Sequence, residues 1–169
     1  MAHSFSGGIM VDRHYESKVK GFYAIGEACG GIHGGCRCAG NAASQAAVSG
    51  LLCAQAAAMA VGSDPAEEDL PAVYAENKAV FEAFVPEARE LAVKALGIYR
   101  HGDTLMQAKT RLEEMLGKEE MGQDTKAAQT VASIHLMVCA ALRREESRGT
   151  HMRLDFPESR KEFEREFSI

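Results

Sequence analysis

A helical period in the apolar residues of the second half is the feature that most limits what this chain can fold into. Thr125 to Arg144 carries Ala128, Val131, Ala132, Leu136, Val138, Cys139 and Leu142 at the recurrence of a helix with one buried face. Thr104 to Leu116 repeats it through Leu105, Ala108, Leu112, Met115 and Leu116, with polar residues between them. Upstream, Leu70, Val73, Tyr74, Asn77, Val80, Phe81 and Phe84 fall near the same spacing. Pro86 then interrupts, and Ala88, Leu91, Ala92, Ala95 and Leu96 continue the stripe, so one kinked helix or two in tandem are expected. The joints are short and polar: Gly97 with HGD at 101–103, and Lys118 to Gln123. Helices joined in this way fold back on one another, which predicts a small bundle of three to four helices over 66–147. The tail THMRLDFPESRKEFEREF starts irregular and is expected to end in a short exposed helix from Pro157, since proline suits a first helical position.

The first part has a different texture. GGIMVD and GFYAIGE are short runs rich in Ile, Val, Phe and Tyr, separated by the polar segment RHYESKVK, which is how two adjacent strands look. From Asn41, a plausible N-cap, to Val61 nearly everything is Ala, Leu, Val, Met or Ser, and a buried helix is expected there. GSDP at 62–65 is a strong breaker and the candidate boundary between a unit at 1–62 and one at 66–169. The fold class that results is mainly α, a helical bundle preceded by a short β-hairpin-like element. With 46% apolar residues in 169 a real core is available. A net charge of −5 with both signs interspersed gives no basic stripe for nucleic acid. The apolar run from Ala46 to Val61 is shorter than a membrane span needs and contains Ser49, Gly50 and Gln55; no secretory signal is expected either. Five cysteines in irregular spacing fit a reduced, cytoplasmic thiol pool better than a disulfide framework.

The stretch GEACGGIHGGCRCAGNAAS at 26–44 concentrates the chemistry. A strand end, a glycine-rich turn and a helix start form the layout in which backbone N–H groups and a helix N-terminus face an anionic or electron-rich ligand. Glu27 at the strand end suits ribose hydroxyls, although the chain carries no GxGxxG fingerprint. Cys29, His33, Cys36 and Cys38 have metal-ligand chemistry but not the paired C-x2-C spacing of zinc modules, and no metal is expected. Cys53 and Cys139 are read as core residues. Arg37, at the end of the glycine-rich loop beside the apolar helix, is better explained by a bidentate carboxylate or phosphate ligand than by side-chain packing. His3, before FSGG, is open between loop residue and ligand. His14 and His101 are expected to face solvent, and His135 to sit in the bundle or at its edge.

Taken together, HSFSGGIMVD and VKGFYAIGEACGGIHGGCRCAGNAASQAAVSG resemble the end of the FAD-binding domain of the fumarate reductase, succinate dehydrogenase and L-aspartate oxidase flavoprotein family, with its HxxxGGI, GLYAxGE and HGxxRxxxN pattern. Far downstream, ALRREESRGTHMRLDFPES resembles the ESRGxHxRxDxP signature of the same family's C-terminal helical domain. The resemblance implies that His3 and Arg37 bind a carboxylate of a small dicarboxylate. It implies that Glu27 holds a ribityl or ribose hydroxyl of FAD, and that the backbone at Asn41, Ala42 and Ala43 lies against the isoalloxazine ring. His33 and Gly34 match the family's HG pair. Cys36, Ala42 and Ala43 depart from the Asn and the Ser-Leu often found there, which leaves the substrate and the branch open.

In such a family the pyrophosphate-binding fingerprint, the capping domain and its arginine proton donor lie upstream. The expectation is therefore a C-terminal fragment whose catalytic residues lie elsewhere and which alone neither holds FAD tightly nor catalyses. Its expected partners are the N-terminal FAD-binding and capping domains and, in the intact parent, a small dicarboxylate. The resemblance leaves room for an iron-sulfur electron-transfer subunit, for a homo-oligomer and for a place at the cytoplasmic face of a membrane through partner subunits. The competing reading is an autonomous helical interaction module. Glu145, Glu146, Arg148, His151, Arg153 and Asp155 are read as a solvated charge cluster at a helix end, or alternatively as a segment in which Arg148 or His151 contacts the other domain.

Overall fold

The computed structural model describes residues 7–60 and 74–164, and the chain divides into two compact units, Met1–Glu68 and Asp69–Ile169. GSDP, His3, Leu70 and Val73 lie outside the described residues. The fold is mainly α: α1 is Asn41–Ala60, α2 Lys78–Ala95, α3 Gly102–Leu116 and α4 Thr125–Arg143. Two short strands, β1 at Tyr99–Arg100 and β2 at Met152–Arg153, pair in parallel with Tyr99 opposite Met152.

In the second unit α2, α3 and α4 share one core. Val80, Phe84, Val85, Ala88 and Ala95 meet Leu105, Ala108, Leu112 and Met115 and then Ala127, Val131, Ile134, Val138 and Ala141. The period predicted for α3 is the buried set, whereas in α4 the buried stripe is turned: Leu136 is 53% exposed and Ile134 points inward. Small alanines on both sides let either face pass as apolar, so spacing alone did not decide the rotation. Pro86 sits inside one continuous α2. Asn77 is not part of that helix but its N-cap, accepting from the amides of Ala79 and Val80. Its own N–H donates at 2.8 Å to Asp124, whose other oxygen caps α4 at Ala127. One carboxylate thus ties the starts of two helices. The segment after Pro157 forms a short 3-10 turn at Lys161–Phe163.

The charged signature is not a solvated helix end. Arg153, 3% exposed, donates to the carbonyls of Ala141 and Leu142 at 2.8 and 3.2 Å, which have no helical partner at the end of α4. It also makes a bidentate pair with Asp155 at 2.8 and 2.7 Å. Asp155 in turn accepts from the amide of Gly102 at 3.0 Å, the first residue of α3. Positive charge therefore stands at a helix C-terminus and negative charge at a helix N-terminus, each where the peptide dipoles favour it. The approach is close at Gly102: a Cβ there would lie 2.7 Å from Asp155 Oδ2, so a side chain would displace the carboxylate. Glu146 is fully buried. It receives Arg144, Arg148 Nε at 2.9 Å and the amide of Arg160 at 2.8 Å. Arg148 is thus engaged inside this unit, as is His151, which bonds Arg100 and the carbonyl of Arg144.

In the first unit the pairing over 9–29 consists of isolated bridges. Glu16 faces Tyr23 and Val11 faces Ser17 in antiparallel sense, while Ile9 runs parallel to Cys29. The antiparallel bridges thus lie within 11–23, and GGIMVD bridges Ser17 and Cys29, on either side of GFYAIGE, instead of GFYAIGE itself. A single 3-10 turn at Gly26–Ala28 connects these bridges to α1. Gly26 has φ +59°, which a side chain would strain. Its amide donates to Ser49 Oγ at 3.0 Å and its carbonyl accepts from Gln45 Nε2 at 2.8 Å. Residues one helical turn apart on α1 therefore hold both polar groups of one peptide residue. The rest of α1 corrects the expectation of a buried helix: only Ser49 and Cys53 are buried, and Leu51 is 63% and Met59 89% exposed. Alanine-rich composition suits a covered helix, but the described residues of this unit offer it a surface on one side only. At 20 residues α1 is long and apolar enough to cross a membrane by length and composition, a length that the run from Ala46 to Val61 does not reach alone.

Two outcomes follow from these contacts. Burial raises the Glu146 pKa, but Arg148, the Arg160 amide and the Arg144 charge outweigh it and bring the value down to about 2. A depressed carboxylate contributes stability that is full above its ordinary pKa of 4.5 and is lost as pH falls toward about 2. Glu146→Ala, which strands two arginines, should lower the unfolding free energy by about 3–5 kcal/mol and flatten the acid limb in that window, both measurable by urea unfolding at several pH values. Ser49→Ala should cost about 1–3 kcal/mol by leaving the Gly26 amide without an acceptor, with faster hydrogen exchange at that amide as the local readout.

Candidate functional site

The clamp on Gly26 fixes what comes next in the chain. Glu27 leaves the 3-10 turn exposed, at the rim of a small cleft whose polar members are Glu27, His33, Arg37 and Gln45. Gly7, Cys29, Ile32 and Ala42 complete its wall. Gln45 organises the inside: its Oε1 lies 2.8 Å from His33 Nε2, and its Nε2 serves Gly26 O and lies 3.5 Å from Cys29 Sγ. Because that amide nitrogen already donates, its oxygen is the acceptor and His33 Nε2 carries the hydrogen.

Arg37 is half-buried, and among the described residues its guanidinium has no hydrogen-bond or ion-pair partner. A half-buried guanidinium in this position can pair with an anion brought from outside. Asn41, Ala42 and Ala43 form the first turn of α1, just after Gly40 at φ +87°, and that turn carries no acidic residue. The positive end of the helix is therefore not neutralised from within. A Cβ added at Gly34 or Gly40 would meet nothing within 4 Å, so the loop leaves room for a ligand to approach its backbone.

Of the residues singled out in the sequence, Glu27, Arg37 and Ala42 line one cleft, Asn41 and Ala43 flank it at the helix start, and His3 lies outside the described residues. The cysteines do not converge. Cys29 is buried and its thiol donates to Gly26 O, Cys36 and Cys38 are exposed, and among the described residues no group of three potential ligands could hold a metal ion. Sequence reasoning missed Gln45 and Ser49. The signal was present, since they are polar residues four apart in an otherwise apolar helix. A flavin fits the residues present: an open glycine loop, an un-neutralised helix N-terminus and a carboxylate at the rim.

Two family models match the chain. One, FAD binding domain, covers residues 1–43, and the other, Fumarate reductase flavoprotein C-term, covers residues 119–166. Among similar curated proteins, an L-aspartate oxidase of Pyrococcus horikoshii is 38% identical over 97% of this chain and 32% of its own length. A CoM/CoB fumarate reductase polypeptide of Methanothermobacter marburgensis is 28% identical over 97% of the chain and 34% of its own length. Among solved structures, Mycobacterium smegmatis Sdh1 superposes with a TM-score of 0.76 at 27% identity, over 92% of this chain and 31% of that one. The quinol fumarate reductase FrdA of E. coli gives 0.70 at 26%, over 95% and 33%. The chain spans about a third of the length of the curated relatives it matches. Both ends of the sequence and the fold between them lead to one conclusion: the chain belongs to the fumarate reductase, succinate dehydrogenase and L-aspartate oxidase flavoprotein family, whose cofactor is FAD, and carries that family's C-terminal region.

Proposed function

We propose that this chain is part of an FAD-dependent oxidoreductase acting on a small dicarboxylate of the fumarate, succinate or L-aspartate type. The observation that carries this reading is Arg37, half-buried at a cleft, without an anionic partner among the described residues, and beside the start of α1. In this reading Arg37 grips a substrate carboxylate through two parallel N–H donors, assisted by His3. Glu27 accepts hydrogen bonds from ribityl or ribose hydroxyls, and the backbone at Asn41, Ala42 and Ala43 lies against the flavin ring. FAD, when bound, supplies hydride uptake and release at a carbon-carbon or carbon-nitrogen bond. The protein's part is to orient the dicarboxylate and to stabilise its charge by fixed cations. Gln45 keeps His33 and the glycine loop in place, so the reach of Arg37 depends on α1.

The higher identity to an L-aspartate oxidase, 38% against 28% for the fumarate reductase polypeptide, favours L-aspartate as the first substrate to try. The units 1–62 and 66–169 are read as the end of an FAD-binding domain and a helical domain, and the five free thiols among the described residues support a reducing, cytoplasmic setting. The exposed apolar side of α1 supports a further polypeptide surface over it, from the upstream domains or from a second copy. Sdh1 is solved in complex with UQ1, and FrdA is that of a quinol fumarate reductase, which supports an electron-transfer partner of the iron-sulfur type in the intact protein. A second reading, an autonomous helical interaction module, is favoured by the separate closed core of α2, α3 and α4.

The test is Arg37→Gln in a polypeptide of the relatives' length that carries this segment. Two charge-assisted hydrogen bonds are worth roughly 3–6 kcal/mol, so kcat/KM should fall by about 100-fold or more with the visible flavin band retained. Unchanged turnover of dicarboxylates would overturn the role of Arg37, and a lost flavin band would move it to the cofactor. The same polypeptide without any flavin band would favour the interaction module. The present chain alone, mixed with FAD and passed over a gel-filtration column, is expected to elute colourless.

A further inference from the structure

The imidazole of His151 is held between two groups whose chemistry dictates its protonation. Arg100 Nη1 lies 2.7 Å from Nδ1, and a guanidinium can only donate, so Nδ1 must present its lone pair. Nε2 lies 3.0 Å from the carbonyl oxygen of Arg144, which can only accept, so Nε2 must carry the hydrogen. The ring is therefore neutral, in a single tautomer, with both nitrogens used.

Its charged surroundings come from every element packed on it. Arg100 stands on β1, Arg144 follows α4 and Arg153 lies on β2. The carboxylates of the same region are directed elsewhere: Glu146 to Arg144, Arg148 and the Arg160 amide, and Asp155 to Arg153 and Gly102. Among the described residues no carboxylate touches the imidazole. A proton added at Nδ1 would place a donor against the Arg100 donor at hydrogen-bond distance and a fourth cation among three arginines.

The contact is also a structural joint. His151 and Arg148 exchange backbone hydrogen bonds at 2.8 and 3.0 Å, and Leu154 donates to the Arg100 carbonyl at 2.8 Å. Through Arg144 O the ring reaches the end of α4, and through Arg100 it reaches the strand that leads into α3. We propose that His151 is an acid-sensitive latch: protonation of Nδ1 from solvent breaks its contact with Arg100 and loosens the Arg148–His151 turn and the Leu154 contact with β1, while Arg153 keeps its hold on the end of α4.

Burial pushes the His151 pKa below 6.5; the hydrogen bond to the Arg144 carbonyl pulls it back up in part, and the charges of Arg100, Arg144 and Arg153 each add a smaller downward push. The sign follows from linkage: the open state binds the proton more readily than the closed one, so closure is fully favoured above 6.5 and weakens as pH falls below it. With an ordinary histidine in the open state, the opening constant rises as pH falls through 6.5.

The experiment compares the full chain with its His151→Gln variant by amide hydrogen exchange, corrected for intrinsic rates, at the backbone N–H groups of Arg148, His151 and Leu154. Glutamine offers an acceptor to Arg100 and a donor to Arg144 O but does not titrate. The wild type should open more readily at about pH 5 than at about pH 7.5, and by a larger factor than the variant, which has no titrating group at this position. Parallel pH dependences in the two chains would overturn the latch. If the variant does not fold, nitrogen NMR of the wild-type imidazole decides: an Nε2–H tautomer titrating below 6.5, together with the loop amides, upholds it. A midpoint at 6.5 with no change in those amides overturns it.

Discussion

The Arg153–Asp155 pair is the joint on which the C-terminal unit depends. A carbonyl-rich helix end and an amide-rich helix start each leave backbone groups without partners, and one ion pair answers both. Arg153 takes the carbonyls of Ala141 and Leu142, while Asp155 takes the amide of Gly102. Burial makes such a pair effective because its remaining hydrogen-bonding capacity is also satisfied. Among the described residues no buried side-chain polar atom lacks a partner. The helices α3 and α4 are thus fixed at one end by charge and along their length by Leu105, Leu112, Val131 and Val138.

Glu146 does for the loop what Arg153 does for the helices. A buried carboxylate beside Arg144 and Arg148 forces residues 144–160 to fold inward, and the Arg160 amide closes the circle. Phe156 lies between the guanidinium groups of Arg153 and Arg160, each 5.0 Å from its ring. The ESRGTHMRLDFP signature is therefore a compact polar core, in which each charged residue is spent on a backbone end or an opposite charge. His151 is the exception: Arg100 and the Arg144 carbonyl hold its ring neutral.

In the first unit the same logic acts on a smaller scale. Gly26 needs a left-handed conformation, and its two polar groups are met by Ser49 and Gln45 from α1. This turn sends Glu27 outward and brings the glycine loop with Arg37 over the helix start. Much of this was legible: the helix that starts at Asn41 and the glycine loop before it follow from residue type and order. The clamp was written in the sequence as two polar residues four apart, but partner choice across a 19- or 23-residue separation is not a local property. The rotation of α4, with Leu136 outside and Ile134 inside, was likewise hidden, because alanine fits either face.

Residue order alone determined the mainly α class, the positions of the helices and the family pattern at both ends, since periodicity, breakers and motif spacing are local and survive without a fold. Tertiary structure alone decided that Glu146 and Arg153 are buried, that a side chain at Gly102 would displace the Asp155 carboxylate, and that α1 keeps an apolar side exposed among the described residues. Those outcomes depend on which backbone ends and charges come within hydrogen-bond reach of one another, a matter of distance in space that no spacing along the chain encodes.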